Sequence, residues 1–167
     1  VFVNMITGYL KPTSGKIEYH GEDITGIEPR DATHVGVCRS FQVSQVFMTM
    51  TVRENLLIAL AIAKDEGKAM LKSPRSPDLM AEAERLMKAY KIEDHADAVS
   101  STLSQGVRKL LDIAMAVVAN PKVLLLDEPT SGVSVEEKFA IMDIVISALK
   151  EKGVTVLFVE HDMEIVE

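Results

Sequence analysis

The second half of the chain alternates short apolar runs with amphipathic helical segments, and this alternation restricts the fold more than any other feature. Helical periodicity covers residues 104–119 and 135–152, and strand-length apolar runs cover residues 123–126 and 154–159. An uninterrupted apolar run is typical of a buried strand in a parallel sheet. Strands that alternate with helices at this spacing indicate a parallel sheet with helical crossovers. The predicted fold class is therefore α/β.

The first half carries signals for shorter elements. Residues 16–20 alternate in period two before a turn, which predicts a short antiparallel β piece. Residues 35–41 are a candidate for a second strand. From Thr51 the apolar positions recur at helical spacing, and Thr51 and Glu54 match the N-cap and its partner in a capping box.

These signals divide the chain into three segments. We expect a partial sheet-forming core with the antiparallel piece in residues 1–50, a helical subdomain in residues 51–102, and the rest of the core in residues 103–167. Within the helical subdomain, Gly and Pro among polar residues predict a loop over residues 66–77, and a helix follows over residues 78–90.

Composition excludes several classes of protein. The 167 residues are 47% hydrophobic and 26% charged, as in an ordinary soluble domain, and the net charge of −7 gives no basic face for nucleic acid. The single Cys38 excludes an internal disulfide, fits a reducing compartment and is interpreted as a small buried hydrophobe. No apolar run reaches the length of a membrane span, and no signal peptide is visible, so we expect a cytosolic setting.

Both ends of the sequence lead us to expect a piece of a longer protein. Residues 1–8 start without Met and read as the end of an apolar helix closed by Gly8. Residues 162–167 read as the first turns of another helix.

Two adjacent carboxylates, Asp127 and Glu128, follow the apolar run 123–126. Ligands of open α/β sheets bind just beyond the carboxyl ends of the strands. A carboxylate such as Asp127 suits Mg²⁺, and Glu128 is free to polarise an attacking water. The alternative reading is a strand that ends in a solvated acidic turn.

Three other segments of the chain carry weaker signals. His161, after the run 154–159, could contact a phosphate or the attacking water, or it could be a hydrogen-bonded structural residue. Gln42 could ligate Mg²⁺ or orient water, or it could be a loop glutamine. Ser104 and Gly106 open a helix whose N-terminus could bind an anion, or Ser104 could be an ordinary cap.

Together, and in this order, the motifs resemble those of the ATP-binding-cassette (ABC) ATPases, and the match runs across nearly the whole chain. The resemblance places Gln42 in the Q-loop and residues 103–108 at the signature motif. It places Asp127 and Glu128 at Walker B and its catalytic glutamate, and His161 at the switch histidine. Residues 131–134 correspond to the D-loop.

The resemblance implies a subunit that binds and hydrolyses ATP, with ATP and Mg²⁺ as cofactors. The residues expected to contact the nucleotide are Gln42, Ser104, Gln105, Gly106 and Asp127, and those expected to be catalytic are Glu128 and His161. Of these, Asp127 and Gln42 would hold Mg²⁺.

The resemblance also implies partners. A second ATPase subunit would join head to tail, a membrane permease would meet the helical subdomain, and a solute-binding protein would act indirectly. The chain would lie in the cytoplasm on the inner face of the membrane. Residues 24–30, 36–42 and 109–116 are similar to the branched-chain amino acid and urea-like importers, so we expect a small polar solute of that kind.

One motif of the family is missing from residues 1–167, namely the Gly-x-x-Gly-x-Gly-Lys-Ser/Thr phosphate loop. The Gly-Lys pair in residues 13–16 lacks the upstream glycines and precedes a strand, so we expect the loop upstream of Val1 and no ATP hydrolysis by these residues alone. Gln105, Val107 and Ser134 also depart from commoner family residues. A non-catalytic remnant or binding module and a soluble non-transport ABC ATPase remain alternatives, and whether the chain itself is an enzyme stays open.

Overall fold

An α/β arrangement of short helices around a parallel sheet is present in the computed structural model, which describes residues 1–40, 46–64 and 76–159. In chain order the elements are α1 (Phe2–Ile6), β1 (Glu18–Tyr19), β2 (Glu22–Asp23), α2 (Pro29–His34), β3 (Val37–Ser40), α3 (Val52–Lys64), α4 (Pro77–Ala89), α5 (Gln105–Val117), β4 (Val123–Asp127), α6 (Val135–Glu151) and β5 (Thr155–Val159), with short 3₁₀ turns at Glu93–His95 and Ser100–Thr102. The predicted fold class is confirmed.

The main sheet has the order β3–β4–β5, and both pairings are parallel. In the register, Ser40 lies opposite Leu126, and Asp127 lies opposite Val159. All three strands therefore end at the same edge of the sheet. The separate antiparallel pair of β1 with β2 is shorter than the run predicted over residues 16–20.

Side chains of the sheet alternate between two faces, because successive residues of a strand point to opposite sides. Val37 and Leu125 lie on the face covered by α1, where they pack with the buried Val3. Leu124 and Leu126 lie on the other face, within the larger core formed with the helices. Cys38 is buried in this larger core, and burial raises the pKa of its thiol.

The capping box at the start of α3 is confirmed. The backbone N–H of Thr51 donates to Glu54 Oε2 at 3.0 Å, and the N–H of Glu54 donates to Thr51 Oγ1 at 3.2 Å. One helical turn further, Asn55 is completely buried and donates to the carbonyl of Phe47 and to Ser100 Oγ. The Asn55 side chain therefore connects the residues just before α3 to the 3₁₀ turn at Ser100–Thr102.

Two predictions of local structure need correction. The run 154–159 was predicted as a buried strand, but Thr155 is exposed and Leu157 is 36% exposed. Among the described residues β5 pairs only with β4 and forms an edge of the sheet. Its apolar sequence alone therefore does not determine how deeply its side chains are buried. Pro77, assigned to the loop, is the first residue of α4.

Two predicted elements fall outside the described residues, and one element of the structure was not predicted. Most of the loop 66–77 and all of the helix expected over residues 162–167 lie outside the described ranges. The helix α2 was not predicted, although Pro29 at its first position is a recognised start signal. No helix within the described part of the chain is long and apolar enough to cross a membrane.

Leu125 and Leu157 are register partners on adjacent strands, and they offer a matched test of the sheet. Leu125 is 1% exposed, so we expect Leu125→Ala to lower the free energy of unfolding by about 2–5 kcal/mol. Leu157→Ala removes the same atoms from a partly exposed site, and we expect a loss below about 1 kcal/mol. Urea unfolding of both variants measures the difference, and equal losses would contradict the described packing.

Candidate functional site

Asp127 is the last residue of β4, and an arginine of the neighbouring strand holds its carboxylate. Arg39 of β3 donates from Nη2 to Asp127 Oδ2 at 2.6 Å. The two side chains are only 14% and 21% exposed, respectively. Arg39 lies opposite Leu125 in the register, so it shares a sheet face with Leu125 and Asp127 and reaches along that face to the strand end.

The same arginine also contacts the first helix. Its Nη1 donates to Asn4 Oδ1 on α1, which covers this face of the sheet. The guanidinium therefore connects α1, β3 and the end of β4. A charged pair that is mostly withdrawn from water needs such hydrogen bonds to offset its desolvation.

Glu128 follows directly and has an unusual backbone conformation, with φ of +49°. Non-glycine residues adopt this left-handed region at a cost, and such strain is often found at functional sites. The N–H of Glu128 donates to the carbonyl of Val159 at 2.8 Å, and its carbonyl accepts from the N–H of Ser131 at 3.0 Å. These bonds fix the turn after β4 to the end of β5.

The start of α5 carries the residues predicted to match the signature motif. Ser104 is the N-cap, and its Oγ accepts from the N–H of Val107 at 3.3 Å. Ser104 is therefore a helix cap, and it uses one of the amide donors of the helix N-terminus. Gly106 is buried, and a Cβ at this position would lie 3.0 Å from Ile141 Cδ1 of α6. The glycine permits close packing of α5 on α6.

Gln105 brings this segment to the loop that follows the two acids. Its Nε2 donates to the carbonyl of Ser131 over a long 3.5 Å. The amide lies directly over Gly132, where a Cβ would overlap it, and Gly132 has φ of +76°. The loop 131–134 leads to Ser134, the N-cap of α6, whose hydroxyl donates to Glu137 Oε2 at 2.9 Å.

Two predicted site residues, Gln42 and His161, lie outside the described residues. The strands that precede them are described. β3 ends at Ser40 and β5 ends at Val159, and both ends flank the end of β4. The site roles of Gln42 and His161 therefore stay predictions.

The main residues that the sequence reading missed are Arg39 and Asn4. Arg39 was noted only as part of a motif, although a charge within an apolar strand requires a partner. That signal could have identified it. Nothing in the sequence around Asn4 indicates a contact with β3, because the contact depends on how α1 crosses the sheet.

The chemistry of the donors suits a hard cation. Asp127 offers carboxylate oxygen, which Mg²⁺ prefers. Within the described part of the chain, no group of three or more His, Cys, Asp or Glu residues gathers as a metal site. Mg²⁺ usually binds proteins through one or two carboxylates and takes its other ligands from water and phosphate.

Comparison with known proteins agrees with this architecture. The sequence profile of the ABC transporter family matches residues 1–131. The chain belongs to the ABC transporter family. It is similar to the probable branched-chain amino acid transport ATP-binding protein LivG of Methanocaldococcus jannaschii, with 35% identity over an alignment of 171 positions. The alignment covers 98% of this chain and 65% of the relative.

Solved structures show the same fold. An ATP-binding cassette of an ABC transporter in its ADP conformation superposes with a TM-score of 0.82 and 35% identity, covering 99% of this chain and 66% of that one. A dimeric cassette in a post-hydrolysis state, bound to ADP and Pi, gives a TM-score of 0.75 and 25% identity, covering 98% and 70%. The chain spans about 65% of the length of the curated relative described above.

The backbone strain at Glu128 can be measured with two variants that both lack the carboxylate. Glu128→Gln keeps the Cβ atom at φ of +49°, whereas Glu128→Gly removes it. We expect the glycine variant to be more stable than the glutamine variant by about 1 kcal/mol, because the left-handed conformation costs a non-glycine residue about that much. Chemical unfolding of the two proteins gives the difference. A glutamine variant as stable as the glycine variant would show that the turn carries no such strain.

Proposed function

We propose that this chain forms part of the ATP-binding and hydrolysing subunit of an ABC importer for branched-chain amino acids or a similar small polar solute. The observation that carries the proposal is the Asp127–Glu128 pair at the carboxyl end of the central described strand, in a chain of the ABC transporter family. The name of the Methanocaldococcus relative supports the choice of solute class.

Within this proposal, the two acids have different tasks. Glu128 would accept a proton from the attacking water, and His161 would help to orient that water and the terminal phosphate. Asp127 and Gln42 would hold Mg²⁺ through oxygen atoms. When bound, Mg²⁺ would neutralise charge on the phosphates, and the protein's own contribution is mainly positioning and electrostatics.

The start of α5 would serve a second nucleotide. Ser104, Gln105 and Gly106 stand at a helix N-terminus, where the backbone dipole favours an anion. In a head-to-tail dimer this segment would contact the γ-phosphate bound by the other subunit. The dimeric cassette bound to ADP and Pi supports such an assembly.

The remaining assignments concern partners and location. Residues 1–50 and 103–167 would form the nucleotide-binding core, and residues 51–102 would be the helical subdomain that meets a membrane permease. A solute-binding protein would act through that permease. The subunit would lie in the cytoplasm, on the inner face of the membrane.

Residues 1–167 lack the phosphate-binding loop, so we expect them to show no ATP hydrolysis on their own. We expect hydrolysis to appear when the segment that precedes the matched region of the Methanocaldococcus relative is joined in frame before Val1. In that fusion, Glu128→Gln should lower kcat by at least about 100-fold, because general-base catalysis contributes that much or more. A phosphate-release assay measures all three proteins.

The controls separate the alternatives. ATP hydrolysis by residues 1–167 that disappears in Glu128→Gln would contradict the expected inactivity. A folded fusion that binds ATP but does not hydrolyse it would favour a non-catalytic remnant or binding module. A fusion that is fully active with Glu128→Gln would remove the role given to Glu128.

A further inference from the structure

The carboxylate that the proposed function gives to Mg²⁺ already has a cationic partner within the protein. Arg39 Nη2 lies 2.6 Å from Asp127 Oδ2, in an ion pair with little exposure to solvent. A guanidinium and a divalent cation compete for the same lone pairs of an oxygen atom, and they repel each other at short range. The pair therefore bears directly on how a cation binds at Asp127.

The position of the guanidinium is fixed by the fold. Arg39 projects from β3, two register positions before the level of Asp127, and its other terminal nitrogen donates to Asn4 of α1. A side chain bonded at two points loses less entropy when it pairs than a free one does, and it holds its partner carboxylate in one orientation. Asn4 can keep its bond to Arg39 when Asp127 binds another cation.

We propose that Arg39 is the resident counter-ion of Asp127, and that a divalent cation binds at this carboxylate by replacing the guanidinium at Oδ2. This rests on the proposed assignment of Asp127 to Mg²⁺. Arg39 is then a positioning residue that weakens the binding of a bare cation at Asp127. A cation that arrives with phosphate brings further ligands of its own, so the exchange favours the nucleotide-bound ion over the free ion.

The test uses the 167-residue chain and Mn²⁺ alone, without nucleotide. Arg39→Met leaves the mostly buried carboxylate of Asp127 without its arginine counter-ion, so the variant should unfold at lower urea concentration than the wild type. Added Mn²⁺ should restore much of that loss in Arg39→Met and change the wild-type midpoint little. Titration followed by electron paramagnetic resonance should show Mn²⁺ binding at least about five-fold tighter in the variant. Two like unit charges about 4 Å apart in water already change affinity by about that factor, and Mn²⁺ carries two charges.

Two further variants supply controls. Arg39→Lys keeps a cation beside Asp127 and should respond to Mn²⁺ as the wild type does. Arg39→Met combined with Asp127→Asn removes the carboxylate and should lose the response to Mn²⁺. If Arg39→Met gains no Mn²⁺ response over the wild type, or if the response survives Asp127→Asn, the counter-ion proposal is wrong.

A measurement on Asp127→Asn alone covers the case in which Arg39→Met does not fold. Because Arg39 weakens cation binding at Asp127 without abolishing it, Asp127→Asn should bind free Mn²⁺ more weakly than the wild type does. Equal binding by the two proteins would overturn the proposal, because it would show that no cation binds at this carboxylate. None of these readouts involves ATP, so a failure of hydrolysis in the phosphate-loop fusion would count against the proposed function and leave this inference standing.

Discussion

The parallel register of β3, β4 and β5 is the constraint on which the candidate site depends. It brings Ser40 level with Leu126 and Asp127 level with Val159, so three chain segments leave the sheet at one edge. The hydrogen bond from Glu128 N–H to the Val159 carbonyl extends this order one residue past the strand. A slip of one residue in β4 would turn Asp127 to the other face and away from Arg39, because strand side chains alternate.

The face of the sheet that carries Asp127 is covered by α1, and it combines an apolar base with a polar rim. Val3, Val37 and Leu125 bury the part near the middle of the sheet. Arg39 lies on the same face, level with Leu125, and its guanidinium reaches towards the carboxyl edge to bond Asn4 and Asp127. The apolar base excludes water from one side of the pair, which makes the charges interact more strongly than they would at an open surface.

The sequence was sufficient for features that depend on local chemistry. The capping box of Thr51 and Glu54, the cap at Ser104 and the strand that ends in Asp127 were all predicted from residue types at fixed spacing. Features that depend on neighbours were not predictable in this way. The exposure of β5 depends on which strands flank it, and the Arg39 pair depends on the register between two segments far apart in the chain.

The contact between Gln105 and Gly132 shows how the two halves of the site are joined. A glycine at position 105 could not reach the Ser131 carbonyl as this glutamine does. Gly132 leaves room for that amide, and Gly106 lets α5 approach Ile141. The start of α5 therefore contacts the loop 131–134 through Gln105, while Glu128 is bonded to the end of β5 through the Val159 carbonyl.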